Sequence, residues 1–142
     1  MDANIQIKEH TVSFFKDIYS KEKSKDIPFT TFVEEVKSGM FRQTVEQIRF
    51  TMDRAQQNKL KTSISAISVS VILEKHRKQE DIISHTGLMQ IDIDEISVAE
   101  ASKVKETLIQ DPYTFSCFYS PSGKIKIVVQ VIPDLNLHKA QI

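Results

Sequence analysis

A chain of 142 residues, 40% apolar and 27% charged, suits one soluble domain with a single core and excludes a disordered one. Lys+Arg and Asp+Glu both total 19, so net charge gives nucleic acid no overall attraction. The single cysteine, Cys117, excludes an internal disulfide and a cysteine-based zinc site, and no apolar run reaches the roughly twenty residues of a membrane span.

Helical signals dominate before residue 62. Val12, Phe15, Ile18 and Tyr19 recur at helical spacing. Pro28 breaks the chain, and Thr31 with Glu34 reads as a capping box for a helix ending at Gly39. A third helix is expected from about Phe41 to Asn58, with Val45, Ile48, Met52 and Ala55 on one face. Residues 1–62 thus read as a helical extension.

The period changes after residue 62. A β-branched stretch from Ile64 to Leu73, interleaved with Ser65, Ser68 and Ser70, reads as a strand. His76 to Glu80 is a charged connection, and Gly87 to Asp94 is a second strand, read as buried. Ser97 and Glu100 form a capping box for a helix that Asp111-Pro112 ends. Tyr113 to Tyr119 is a strand, Ser120-Pro121-Ser122-Gly123 a turn, and Lys124 to Ile132 a further strand. The class is α+β, with a mainly antiparallel sheet and helices packed on it. Residues 63–142 form this core. His138 to Ile142 reads as the start of a helix that does not continue, so the core is expected to be truncated at its C-terminus. Met1 to Asn4 lacks the basic start and apolar core of a signal peptide, so a cytoplasmic protein is expected.

Charge is unevenly spread. Residues 41–80 hold eight Lys/Arg against four Asp/Glu, and residues 91–112 hold two Lys against six Asp/Glu. Arg42, Arg49, Arg54, Lys59 and Lys61 form a basic segment that would suit nucleic acid, or simply a solvated face. The acidic strand ends in Asp92 and Asp94, which alternation places on one face. Two adjacent carboxylates repel unless neutralised, and Mg²⁺ or Mn²⁺ would do so. Acids at a strand's end also cap the following helix or stand in turns. In Ser120-Pro121-Ser122-Gly123-Lys124-Ile125-Lys126, backbone amides, the Ser hydroxyls, Lys124 and Lys126 could hold phosphate oxygens. An ordinary hairpin with exposed lysines fits the same residues. A Walker A pattern is absent.

These motifs, taken with Lys37-Ser38-Gly39-Met40-Phe41, Gln47-Ile48-Arg49, Ser84-His85-Thr86-Gly87 and Asp111-Pro112-Tyr113, occur in the order of a known family. The chain resembles the VirE N-terminal domain family of Bacteroides-type mobile elements, related to the primase–polymerase superfamily. The resemblance implies an RRM-like sheet preceded by a helical extension. It implies metal-dependent nucleotidyl transfer in the full-length form, with Asp92 and Asp94 as catalytic metal ligands. Ser120, Ser122, Gly123, Lys124 and Lys126 would bind the nucleotide. DNA or RNA, nucleoside triphosphates and a helicase-type domain would be the partners. Ile125 stands where relatives carry a second glycine, Lys126 is nearest to the usual histidine, and the third acid is missing before Ile142. The resemblance therefore implies a chain inactive or only partly assembled as it stands. The alternative is a non-catalytic nucleic-acid-binding or accessory domain.

Overall fold

In the computed structural model, which describes residues 10–131, the first element is a strand and not the expected helix. β1 (Thr11–Phe15) buries Val12, Ser13 and Phe15, so both its faces are covered. Burial on both faces removes the alternation that marks a strand, and Val12 with Phe15 then imitates a helical stripe. β2 (Lys25–Pro28) pairs antiparallel with β1, with Val12 opposite Ile27. β3 (Ala66–Ser68) pairs with the other side of β1, with Phe14 opposite Ile67. One sheet therefore joins residues from both sides of position 62.

α1 (Phe29–Ser38) starts directly where β2 stops. Pro28 is its N-cap and no side chain caps it, so Thr31 and Glu34 lie inside the helix and form no capping box. Its end at Gly39 is as expected. Gly39 has φ +80°, the left-handed geometry that glycine adopts without strain, and its N–H donates to the Val36 carbonyl. The long helix expected next is two helices, α2 (Arg42–Phe50) and α3 (Arg54–Lys61). Thr51 is extended, and the Asp53 carboxylate caps α3 by accepting from the Ala55 N–H. Ile48 is buried, whereas Met52 of the same expected stripe is 97% exposed.

The strand expected over Ile64 to Leu73 is cut at Val69-Ser70 and serves two sheets. Its second part, β4 (Val71–Leu73), pairs with β5 (Ile82–His85), which sequence reading did not find. A 3-10 turn over Gln79–Asp81 lies between them. The third sheet contains β6 (Leu88–Ile93), β7 (Thr114–Tyr119) and β8 (Ile125–Gln130), in the order β6-β8-β7. α4 (Val98–Leu108) begins at the expected Ser97–Glu100 capping box. The α+β class holds, with antiparallel pairing throughout the three sheets of the described residues. The helix start read at His138 to Ile142 lies outside the described residues.

Two apolar clusters flank the third sheet. Ala101 of α4 packs on Ile125 and Ile127, with Ile93 and Cys117 beside them. On the other side, Leu88 and Val128 join Val12, Ile27, Phe29 and Val69. Each such fully buried side chain contributes about 1.5–3 kcal/mol. Two buried hydroxyls tie the sheets together. Ser13 Oγ accepts from the Leu73 N–H at 2.9 Å and donates to Asp26 at 3.1 Å. Thr86 Oγ1 donates to the Val69 carbonyl at 2.5 Å and accepts from the Leu88 N–H at 3.1 Å.

Candidate functional site

The face of the third sheet away from α4 changes character along its length. Leu88, Gln90 and Asp92 alternate on β6 opposite Gln130, Val128 and Lys126 of β8. The Leu88 and Val128 end is core, whereas Gln90 and Asp92 are exposed. The strand was expected to be buried. It is an edge strand, so its acids meet water.

Asp92 already has a counter-charge. Lys126 Nζ lies 3.1 Å from Asp92 Oδ1, and Gln90 Nε2 donates to the same oxygen at 2.9 Å. Ile93, between the two acids, turns into the cluster under α4. Asp92 and Asp94 both line a cleft of about 1450 Å³, whose opposite bank is built from α1, α2 and the segment Ile64 to Val69. Lys126 shares the cleft floor, as do Ser120 and Ser122.

The remaining hairpin residues have structural work. Gly123 has φ +82° and closes the turn, with its N–H donating to the Ser120 carbonyl at 2.9 Å. Lys124 Nζ donates to the Ile96 carbonyl at 2.5 Å. Gly123 and Lys124 are not among the residues that line the cleft. Ser120 is buried, and its Oγ accepts from the Lys124 N–H at 3.1 Å. Arg49 reaches across from α2 and donates to the Pro121 and Ser120 carbonyls at 3.2 and 3.3 Å.

The basic segment divides. Arg42, Arg49 and Lys61 line the cleft, whereas Arg54 and Lys59 are exposed elsewhere on α3. Sequence reading missed Lys37, Arg77, Lys78 and Lys105, which also line it. In all, eight Lys/Arg and three Asp/Glu line the cleft, so a balanced chain presents a positive concavity. Arg77 and Lys78 stood in the sequence only as part of a charged connection. Gln90 had a signal, since it precedes Asp92 by two on one strand.

Residues 59–137 match the family described as BT4734-like, N-terminal domain. The match covers more than half of the chain. The chain belongs to the BT4734-like N-terminal domain family. No curated protein and no solved structure matches it. The stretch matched to the BT4734-like family contains Asp92, Asp94, the hairpin and Lys61, whereas Arg42 and Arg49 precede it.

Among the described residues, Asp92 and Asp94 have no third His, Cys, Asp or Glu beside them to hold a metal. No group of three or more His, Cys, Asp or Glu lies together among the described residues. Two carboxylates suit a Mg²⁺ ion that keeps several waters and is shared with substrate phosphates, better than an ion held by protein alone. Cys117 packs beside the α4 cluster, and burial pushes its thiol up from the usual value, with Lys105 opposing. It is therefore a protonated packing group at neutral pH. No helix of the described residues is long and apolar enough to cross a membrane.

Proposed function

We propose that the cleft binds the phosphates of nucleic acid and of a nucleoside triphosphate, and that the domain serves a primase–polymerase of the VirE N-terminal type in replicating a mobile element. The observation that carries this reading is the composition of the cleft, with its excess of Lys and Arg around a floor that holds both Asp92 and Asp94. Arg42, Arg49, Lys61 and Lys126 would contact phosphates, giving sequence-independent and salt-sensitive affinity. Four contacts to a single strand predict a slope of log affinity against log salt of about −3.

A nucleotide would meet Asp92 and Asp94 at the same floor. These two acids would hold Mg²⁺ or Mn²⁺ carried in with the triphosphate, and Lys126 would be released from Asp92 to a phosphate oxygen. Such an ion, when bound, supplies charge neutralisation and Lewis acidity at phosphorus. Nucleotidyl transfer itself would need a further acid beside Asp92 and Asp94. Binding without chemistry is the function proposed for these residues alone, and the Asp92–Lys126 pair favours it, because it keeps the acid neutralised without a metal.

The test is fluorescence anisotropy with a labelled oligonucleotide over a salt series, beside calorimetry with Mn²⁺ and a nucleoside triphosphate. Affinity that falls steeply with salt supports the cleft reading. Affinity indifferent to salt overturns it. Loss of Mn²⁺-dependent nucleotide binding in Asp92→Asn would assign the floor to nucleotide, and unchanged binding would remove that part.

A further inference from the structure

Beyond the cleft's rim, an exposed aromatic ring stands on a turn that is held unusually firmly. Tyr19 is 76% exposed. Its backbone N–H and that of Ser20 both donate to Asp17 Oδ1 at 2.9 Å. Arg77 donates to the Ile18 and Asp17 carbonyls at 2.7 and 3.1 Å, and its guanidinium lies 4.0 Å from the Phe15 ring centre. The Arg77 N–H donates to the Lys21 carbonyl at 3.1 Å, which clamps the far side of the turn. Core packing does not need a ring in that position. A solvent-facing aromatic on a fixed backbone, with only its two side-chain torsions to settle, loses little conformational entropy when a flat ligand lands on it.

The surroundings select the ligand. Tyr19, Lys21, His76 and Lys78 line a hollow of about 460 Å³, and Ile18, Arg77 and Lys78 line both this hollow and the main cleft. The two are thus neighbours, walled by the same three residues. Two of the local acids are matched: Glu22 lies 3.3 Å from His76 and 3.6 Å from Lys75, while Asp81 lies 3.2 Å from His76 and 3.8 Å from Lys78. Lys21, Arg77 and Lys78 line the hollow and no Asp or Glu does, so even with the Asp17 carboxylate under the turn the rim carries surplus positive charge beside the ring.

We propose that Tyr19 is a base-stacking platform that extends the cleft's grip along a single-stranded nucleic acid. An exposed ring beside cations suits a chain of alternating bases and phosphates, because every base offers a π-face. A duplex keeps its bases stacked inside and cannot present one to Tyr19. The inference rests on the cleft reading above and adds to it a specificity for single strands. Tyr19 lies before the residues matched to the family, so this contact belongs to the N-terminal part of the chain.

The experiment uses the full chain and its Tyr19→Ala and Tyr19→Phe variants. Fluorescence anisotropy compares oligothymidylates of about 4 and about 16 nucleotides, and a duplex. Tyr19→Ala should weaken the long single strand by about 5-fold to 100-fold and leave the short strand and the duplex unchanged. Tyr19→Phe should bind as the parent does. The chain has no tryptophan and three tyrosines, of which Tyr119 also lines the cleft, so the Tyr19 share of the tyrosine fluorescence is the difference between the parent and Tyr19→Phe. The long strand should quench the parent more than it quenches Tyr19→Phe, while the variant keeps its affinity. If Tyr19→Ala matches the parent on the long strand, the platform is overturned and the cleft reading stands. If the parent binds no oligonucleotide, both fall together. Equal weakening on all three ligands would also overturn the platform, since it would reflect a general loss.

Discussion

Lys126 and Asp92 face each other across the β8–β6 register, 3.1 Å apart at their charged atoms. The pair is partly exposed, so it contributes about 0–1 kcal/mol to stability. Its importance lies in which charge is available. With Asp92 present, the Lys126 ammonium is engaged. With a phosphate present, the ammonium has a better partner.

Asp92→Asn should therefore leave the midpoint of chemical denaturation within about 1 kcal/mol of the parent. In the absence of metal it should raise nucleic-acid affinity by about 2-fold to 5-fold, because one repulsive charge leaves the cleft. In the presence of Mn²⁺ it should abolish any metal-dependent gain for nucleotide. Anisotropy with and without Mn²⁺ checks both signs. A fall in metal-free affinity would contradict the assigned role of the ion pair.

Arg42, Lys61 and Lys126 line the cleft, whereas Arg54 and Lys59 do not. Each alanine substitution in the first group should shallow the salt slope by about 0.7 to 1 for a nucleic-acid ligand. The same change at Arg54 or Lys59 should leave the slope unaltered. Equal effects at all five positions would mean a diffuse basic surface and not the cleft.

Arg49 joins α2 to the Ser120–Pro121 turn through two carbonyl acceptors. A lysine keeps the charge but cannot span both acceptors with a planar fork. Arg49→Lys should thus preserve the salt slope while loosening α2. The expected readout is faster amide hydrogen exchange in α2 and across the 120–124 turn, with α4 unchanged. Exchange indistinguishable from the parent would show that the contact does not hold the bank in place.

The C-terminal half was legible because its signals are local. Ser97 and Glu100 make the capping box that their spacing announced. The Pro121 and Gly123 turn joins two strands at nearly the expected limits. The N-terminal half was not, because its pattern depends on distant partners. Val12, Ser13 and Phe15 are buried by different neighbours on two faces, which hides the strand's alternation and leaves a false helical spacing. The Thr51–Asp53 break carried a usable signal, since Asp53 is a good N-cap, but the apolar run through Met52 and Ala55 hid it. The acid pair, the hairpin serines and Lys126 could be named from the sequence. Arg42, Arg49 and Lys61 across from them could be named too, but Lys37 and Arg77 could not, because they join the others only through tertiary packing.

Buried hydroxyls make a sharper stability test than the surface charges. Thr86 is 8% exposed, and its Oγ1 bonds both the Val69 carbonyl and the Leu88 N–H. Thr86→Val keeps the volume and removes both partners at once. It should destabilise by about 1–3 kcal/mol, measured by urea denaturation. A change below about 0.5 kcal/mol would mean that the strand ends relax to satisfy one another.

Acid should weaken the fold through two carboxylates whose ionised forms accept backbone N–H groups. The His76 backbone N–H holds Asp81 below its ordinary 3.8, with burial opposing and the His76 ring and Lys78 adding to the lowering. The Ser97 backbone N–H, and then its hydroxyl, hold Glu100 below its ordinary 4.5. In both cases the folded value lies below the unfolded one. The unfolded chain therefore binds protons first as pH falls, and each contribution is complete above the ordinary value and lost as pH falls from there through the folded value. Asp81→Asn and Glu100→Gln should lower the urea midpoint at about pH 7 and converge on the parent as the pH falls through the folded values, where the parent carboxyls become neutral. A midpoint difference that persists unchanged at the acid end would show that these side chains act by packing and not by charge.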